Sequence, residues 1–174
     1  DRPELPTIVF RGPSWDSLMA NGVDGTSGPG PDDLSDILFT SGTTGSPKGV
    51  MTTHAQTLRT FCDWADVVGL RAGDRYLVVA PFFHCFGYKA GWVACLMAGA
   101  TIIPQPVFDA DAVLARIARD QISVIPGPPA LYQSFLMKDL SGVDVSSLRL
   151  AVTGAATIPV RLIERMRDEL GFDT

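Results

Sequence analysis

The length, composition and charge of this chain exclude several classes of protein. Its 174 residues are 46% hydrophobic, enough to bury one sizeable core, yet no apolar run reaches the length of a transmembrane helix. The net charge of −5 and the pI near 4.8 argue against nucleic acid and anionic lipid as partners, because both bind basic patches. Three cysteines without a Cys-x-x-Cys pair favour reduced thiols in a cytoplasmic protein, and two histidines argue against a multi-histidine metal site.

Residues 1–34 are expected to form a poorly defined N-terminal segment that ends in a linker. Within it, Pro6–Phe10 is a candidate strand and Ser14–Ala20 a candidate short helix. Residues 21–33 are rich in turn-forming residues and predict a flexible connection. Because the sequence does not begin with Met, we expect it to be part of a longer protein, whose organised part starts here at residue 35.

The stretch Ile37–Val50 joins a short apolar run to a loop of hydroxyl residues and glycines. Glycines allow positive φ, so that successive N–H groups can point into one concavity, and Lys48, one of only three lysines, adds a positive charge. This combination favours polyphosphate binding. A mobile surface turn is the ordinary alternative, but strand-like runs flank the loop at residues 37–40 and 49–52. A Walker A loop is excluded, because Pro47 rather than Gly precedes Lys48.

Beyond this loop, predicted helices alternate with predicted buried strands. The 3.6-residue period indicates a helix from about Thr53 to Val68. Its predicted apolar stripe consists of Leu58, Phe61, Cys62, Ala65 and Val68. Further strands are predicted at Arg75–Pro81, Thr101–Pro104, Ile122–Ile125 and Leu148–Thr153. Further helices are predicted at Tyr88–Ala98, Phe108–Asp120 and Pro129–Met137.

Two helix starts are predicted from capping residues. Asp109 is expected to cap the helix that follows it, and Thr157 to cap a last helix. The core-facing residues of the last helix are expected to be Leu162, Ile163, Met166 and Leu170. Near-continuous apolar strands that alternate with helices predict an α/β fold, with a parallel sheet covered by helices on both faces.

A second candidate site, Pro81–Gly91, follows a predicted strand at its carboxyl end, where open α/β sheets bind ligands. His84 lies among aromatic residues, and Gly87 and Gly91 are spaced to leave room on one helix face. From these residues alone, a packed aromatic corner with a satisfied histidine is the favoured interpretation. Cys85 has bulky neighbours and no base nearby in the sequence, so we expect it to pack rather than to act as a nucleophile.

Residues Thr40–Gly49 resemble, without a gap, the phosphate loop of the adenylate-forming (AMP-binding) superfamily, Thr-Ser-Gly-Thr-Thr-Gly-x-Pro-Lys-Gly. The resemblance extends from about Asp36 to Leu170. The runs at residues 83–91 and 127–134 look like one subgroup, the bacterial CoA ligases, usually grouped with fatty-acid-CoA ligases, that activate the bicyclic propanoate left from steroid ring degradation. Residues 35–174 would then be a partial AMP-binding α/β subdomain, with the rest of the large N-terminal domain and a C-terminal domain outside this chain.

The resemblance implies a two-step reaction of lipid metabolism. A carboxylate attacks the α-phosphorus of ATP to give acyl-AMP, and coenzyme A then displaces AMP to form a thioester. Mg²⁺ is implied as a cofactor, but the glutamate that serves it would follow Thr174, so no metal ligand is expected within the chain. The implied partners are therefore a small carboxylic acid, ATP and CoA. This chain alone, without the implied mobile C-terminal domain, is expected to be inactive.

The resemblance also assigns roles to particular residues. The phosphates of ATP would contact Thr40, Ser41, Gly42, Thr43, Thr44, Gly45 and Lys48. The small residues Gly154, Ala155 and Ala156, which follow a predicted strand, would pack against adenine, although such a turn is common in any α/β protein. His84 would orient the substrate carboxylate as the catalytic residue. The acyl pocket would be lined by Phe83, His84, Gly87 and Gly91.

One difference within the superfamily bears on the substrate. Peptide-synthetase adenylation domains resemble the same region but carry an aspartate where this chain has His84. No acidic residue occurs between Asp74 and Asp109, so a buried substrate ammonium would lack a counter-charge. We therefore expect a carboxylic acid without an α-amine. An acyl-AMP ligase that feeds a carrier protein and a non-catalytic nucleotide-binding module are the alternatives.

Overall fold

A computed structural model describes residues 12–21, 28–42 and 45–174. The helices are α1 (Pro13–Ala20), α2 (His54–Val68), α3 (Cys85–Gly87), α4 (Ala94–Ala98), α5 (Ala110–Asp120), α6 (Pro129–Leu136) and α7 (Val160–Leu170), and a π-helical segment spans Tyr88–Val93. The strands are β1 (Leu34–Thr40), β2 (Lys48–Thr53), β3 (Arg75–Val78), β4 (Thr101–Pro104), β5 (Val124–Gly127) and β6 (Leu150–Thr153). The short helix expected near Ser14–Ala20 is confirmed, whereas the candidate strand Pro6–Phe10 lies outside the described residues.

Four strands form a parallel sheet in the order β4-β3-β5-β6. Alternate side chains of each strand point to opposite faces, as the two-residue period of a strand requires. On one face, Leu77, Ile103 and Ile125 pack with α5, α6 and α7. On the other face, Tyr76 and Val124 pack with α2 and α4. The predicted α/β fold, with a parallel sheet covered by helices on both faces, is therefore confirmed.

The connections after β3 and β5 determine where a ligand can bind. These strands are neighbours, but α4, which follows β3, lies on one face of the sheet, and α6, which follows β5, lies on the other. Open α/β sheets bind ligands in the crevice that such a switch leaves at the carboxyl ends of the strands. The turn 79–84 follows β3 at this edge, and Pro128 follows β5.

The strands β1 and β2 form a separate antiparallel hairpin. Its register pairs Thr40 with Lys48, so the connecting loop spans residues 41–47. The two strand-like runs that flank the loop in the sequence are thus paired with each other. A capping box formed by Thr53 and Gln56 then starts α2 directly at the end of β2, and Gly69, with φ of 72°, ends the helix.

The apolar stripe predicted for α2 is displaced by about one residue. Leu58 is 48% exposed and Cys62 is exposed, whereas Thr57 is buried. The helix turns Thr57 inward because its hydroxyl accepts a hydrogen bond from Lys89 Nζ. Ala65 is buried as predicted.

Two helix predictions also needed correction. The segment Tyr88–Ala98 is a π-helical turn followed by α4 rather than one α-helix. The last helix begins at Val160 instead of after Thr157, because Pro159 disfavours helical backbone in the residue before it. In this helix Ile163 is 39% exposed, while the other predicted core residues are buried.

Candidate nucleotide and carboxylate site

The hairpin loop 41–47 requires glycine at Gly42. This residue has φ of 65°, and a Cβ placed on it would lie 2.2 Å from the carbonyl oxygen of Ser46. Gly45 also has positive φ, at 85°, but a Cβ there would meet open space. The backbone of Gly42 therefore lies close to that of Ser46, and such close backbone approach suits a phosphate-binding concavity. The predicted phosphate ligands Thr43 and Thr44 lie outside the described residues.

The strand ends place polar side chains beside this loop. Thr40 ends β1 and Lys48 begins β2 as cross-strand partners, and both are exposed. Ser41 is exposed as well. Lys48 makes no ion pair with a carboxylate within the part of the chain that the structure describes. Its ammonium is therefore available to an anionic ligand.

The imidazole of His84 is oriented by the turn that follows β3. The His84 N–H donates to the carbonyl of Pro81 (2.9 Å), and Nδ1 accepts a hydrogen bond from the Phe86 N–H (3.1 Å) at the start of α3. Because Nδ1 is an acceptor, the neutral ring carries its proton on Nε2. The ring is exposed, so this Nε2–H can donate to a carboxylate at the surface of the crevice.

The structure gives Gly87 and Gly91 a packing role. A Cβ on Gly87 would lie 2.3 Å from the carbonyl oxygen of Pro81 and 2.4 Å from that of Ala80. A Cβ on Gly91 would lie 3.3 Å from Cγ1 of Val78. The room predicted beside these glycines is thus filled by the chain itself, and it allows α3 and the π-helical segment to approach β3. Both glycines are buried, whereas Phe83 is 87% exposed.

A cavity of about 420 Å³ lies at the switch point between β3 and β5. Its walls are mainly apolar and include Phe86, Phe108, Pro128 and Leu131. None of these residues was predicted to line a pocket, although the run 127–134 carried part of the family resemblance. The signal that could have located them is Gly127-Pro128 directly after a buried strand, because that position lies at the ligand-binding edge of the sheet.

The small residues 154–156 follow β6 at the same edge of the sheet. Ala155 has φ of 65°, a left-handed conformation that costs an alanine on the order of 1 kcal/mol. A Cβ on Gly154 would meet no atom within 4 Å, and Ala155 and Ala156 are exposed. An exposed backbone turn with small side chains leaves space for a flat ring. The hydroxyl of Thr153, just before the turn, is buried without a hydrogen-bond partner among the described residues.

One buried ion pair joins the hairpin to the helical segment that follows His84. Lys89 Nζ lies 2.9 Å from Asp36 Oδ1, and the Lys89 residue is only 3% exposed. Burial acts to raise the pKa of Asp36, but hydrogen bonds from Lys89 and Thr52 and the charge of Lys89 outweigh it, so the pKa lies below its usual value. The carboxylate is thus ionised at neutral pH.

The described residues do not form a metal site of their own. They contain no group of three or more His, Cys, Asp and Glu side chains that could hold a metal ion. In the same described residues, every helix is too short or too polar to cross a membrane.

A parallel α/β sheet with glycine-containing turns at its ligand-binding edge is the architecture of many nucleotide-binding α/β proteins. A profile of the AMP-binding enzyme family matches residues 7–173, and the chain belongs to this family. The resemblance predicted from Thr40–Gly49 is therefore confirmed.

Two curated relatives are both named 3-[(3aS,4S,7aS)-7a-methyl-1,5-dioxo-octahydro-1H-inden-4-yl]propanoyl:CoA ligase. The Mycobacterium tuberculosis protein is 48% identical over 99% of this chain and 37% of its own length. The Rhodococcus jostii protein is 51% identical over 82% of this chain and 28% of its own length. The chain thus spans about a third of the length of the curated relatives it matches.

Solved structures of related enzymes have the same fold. The anthranilate CoA ligase AuaEII, in complex with anthranoyl-AMP, matches with a TM-score of 0.74 and 32% identity, over 82% of this chain and 28% of that one. ATP-bound MatB from Rhodopseudomonas palustris matches with a TM-score of 0.75 and 27% identity, over 92% of this chain and 32% of that one. The family and these ligands support ATP as the nucleotide.

Proposed function

We propose that this chain is the phosphate- and carboxylate-binding part of an ATP-dependent acid–thiol ligase. The complete enzyme would convert a carboxylic acid to acyl-AMP and then to an acyl-CoA thioester, in the cytoplasm and as part of lipid metabolism. The observation that carries this proposal is the phosphate-type loop Thr40–Gly49 in a chain that belongs to the AMP-binding family.

The first step needs alignment more than acid–base chemistry. The substrate carboxylate is already an anionic nucleophile, so no side chain has to remove a proton from it. The chain has to hold the carboxylate against the α-phosphorus and to stabilise the accumulating negative charge. The loop residues 40–45 and Lys48 would bind the phosphates, His84 would donate from Nε2 to the carboxylate, and residues 154–156 would pack on adenine. Mg²⁺, held elsewhere in the complete enzyme, would add positive charge at the phosphates.

The substrate is proposed to be an apolar acid that lacks an α-amine, in the class of the bicyclic propanoate named for the two relatives. The segment between Asp74 and Asp109 supplies no carboxylate for a substrate ammonium. The apolar cavity of about 420 Å³, which is lined in part by Phe86, has the size of a small-molecule site. Gly87 and Gly91 would act indirectly, by allowing the wall that carries His84 and Phe86 to pack against β3.

The proposal is tested by pyrophosphate release from the full-length protein with ATP, Mg²⁺ and a panel of acids. The panel includes bicyclic propanoates, straight-chain fatty acids and amino acids, each with and without CoA. We expect release that depends on the acid, favours an acid without an α-amine, and yields an acyl-CoA. Turnover that requires a carrier protein and not CoA would select the acyl-AMP ligase instead. ATP binding without release for any acid would select a non-catalytic module.

A further inference from the structure

We propose that Lys89 is a positioning residue which, through its ion pair with Asp36, sets the phosphate loop at its working distance from His84. This inference rests on the proposed adenylation function. It concerns a lysine that neither the phosphate loop nor the carboxylate site includes.

The Lys89 ammonium is matched to three acceptors from three different elements. Its Nζ lies 2.9 Å from Asp36 Oδ1 on β1, 2.8 Å from Thr52 Oγ1 on β2 and 3.0 Å from Thr57 Oγ1 on α2. An ammonium has three N–H donors, so each of them has one partner. The side chain of Lys89 is 4% exposed and that of Asp36 is 12% exposed. Water therefore has little access to these contacts.

The three acceptors also form hydrogen bonds with one another. Thr52 Oγ1 donates to Asp36 Oδ1 at 2.9 Å, and Thr57 Oγ1 lies 3.4 Å from Thr52 Oγ1. The second carboxylate oxygen of Asp36 is buried without a partner among the described residues. Lys89 is thus the cation that neutralises Asp36 in the described part of the chain, and loss of either residue would leave a buried charge uncompensated.

The positions of these residues link the two halves of the candidate site. Asp36 lies on the strand that enters the phosphate loop and Thr52 on the strand that leaves it, so one ammonium holds both sides of the hairpin. Lys89 follows His84 by five residues. The Tyr88 N–H donates to the His84 carbonyl (2.9 Å), so the backbone between His84 and Lys89 is a hydrogen-bonded helical turn. The connection from Asp36 to His84 therefore runs through one ion pair and one hydrogen-bonded helical turn.

Adenylation requires the carboxylate at His84 to meet the phosphate held by the loop. A misplacement of about 1 Å can slow such a reaction by a factor of about 100. The second step uses acyl-AMP, which has already lost the β- and γ-phosphates that the loop would bind. Disturbing the Lys89–Asp36 pair is therefore expected to slow adenylation while thioester formation from supplied acyl-AMP continues.

The test compares Lys89→Met, Asp36→Asn and the double variant in the full-length enzyme. Each single variant leaves one buried charge and is expected to lower the thermal midpoint. The double variant removes both charges with residues of similar shape, and it is expected to recover most of that loss. Lys138→Met is the matched control, because it breaks the exposed Lys138–Asp111 ion pair, far from the hairpin in the sequence.

The decisive readout is the double variant at a temperature where it is fully folded. We expect its acid-dependent ATP–pyrophosphate exchange to fall by about 10- to 100-fold, with thioester formation from supplied acyl-AMP within about twofold of wild type. Wild-type exchange in the stable double variant would overturn the inference, since the pair would then serve folding alone. Equal losses in both half-reactions would overturn it too. Failure of the proposed function is distinguishable, because the wild-type enzyme itself would then show no exchange with any acid.

Discussion

Arg149 binds both carboxylate oxygens of Asp74 at the edge of the sheet opposite the candidate site. Nε of Arg149 donates to Oδ1 at 2.8 Å, and its Nη2 donates both to Oδ2 and to the Gly69 carbonyl. Ser123 donates to the same carboxylate at 3.1 Å and accepts the Arg75 N–H at 2.9 Å. Residues that directly precede β3, β5 and β6 thus meet at one buried carboxylate, which fixes the amino ends of three strands.

This network predicts a loss of stability in acid. Burial acts to raise the pKa of Asp74, but hydrogen bonds from Arg149 and the Arg71 N–H outweigh it, so the folded-state pKa lies below the usual value of 3.8. The stabilisation is therefore complete above about pH 3.8 and is lost as the pH falls through the lower folded-state value. Thermal midpoints of the full-length protein from pH 2 to pH 7 measure this loss.

Arg149→Leu separates this contribution from general acid denaturation. This substitution leaves Asp74 buried without its cation. We therefore expect the free energy of unfolding at pH 7 to fall by about 3 kcal/mol, and the thermal midpoint to depend less on pH. Arg165→Leu is the control, because the Arg165–Glu169 pair is exposed on α7 and should matter little. An Arg149 variant with the acid sensitivity of wild type would contradict the assignment.

Gly87→Ala is expected to destabilise the protein through a steric clash. The new Cβ would meet two backbone carbonyl oxygens, those of Ala80 and Pro81, which cannot rotate away. We expect the free energy of unfolding to fall by about 1–3 kcal/mol, with a lower thermal midpoint. Gly28→Ala is the matched control, because a Cβ there meets no atom within 4 Å. Equal midpoints for the two variants would show that α3 does not pack against the end of β3 as described.

Lys48→Ala is expected to slow adenylation without unfolding the protein. The side chain is exposed, so its loss should leave the thermal midpoint near that of wild type. Loss of a charge-assisted phosphate contact should cost about 1.5–3 kcal/mol of transition-state stabilisation. This cost corresponds to a roughly 10- to 150-fold lower kcat/KM for ATP. Lys138→Ala controls for the removal of a lysine elsewhere on the surface. Unchanged rates in Lys48→Ala would mean that the loop backbone binds the phosphates unaided.

Two substitutions at His84 separate its structural contact from its proposed chemical one. In the wild type, the Phe86 N–H donates a hydrogen bond to His84 Nδ1 at 3.1 Å. The side-chain oxygen of Asn can accept this hydrogen bond, but Asn lacks the Nε2–H of the imidazole. His84→Asn should therefore keep the thermal midpoint while weakening activation of the acid. His84→Ala should lose both the hydrogen bond from the Phe86 N–H and the activation of the acid. Its free energy of unfolding should fall by up to about 1 kcal/mol. Steady-state rates measured against the concentration of the acid test this prediction. Full activity of His84→Asn would show that the histidine has no role in activating the acid.

The parallel sheet could be predicted because its strands carry near-continuous apolar runs and alternate with predicted helices. Asp109, for example, accepts the Ala112 N–H at 2.8 Å and starts α5, as expected. The boundaries of β5 were less accessible. The strand predicted at Ile122–Ile125 is found at Val124–Gly127, and its Pro126 pairs in register with Val152 of β6.

The parts that could not be predicted depend on contacts distant in the sequence. Thr57 is buried in place of Leu58 because Lys89, 32 residues later, needs a hydroxyl acceptor. The packing role of Gly87 follows from two carbonyls of a preceding turn, which no periodicity reveals. The family motif at Thr40–Gly49 was recognisable from the sequence alone, because its residues are consecutive. The cavity between β3 and β5 could not be predicted without the strand order, which makes these two strands neighbours.

A crystal structure of the full-length protein with ATP or a non-hydrolysable acyl-AMP analogue tests the central claim most directly. With ATP, the β- and γ-phosphates should lie in the loop between Thr40 and Lys48, with Lys48 Nζ within hydrogen-bond distance of a phosphate oxygen. Adenine should pack against residues 154–156. A nucleotide bound elsewhere, with this loop empty, would contradict the account.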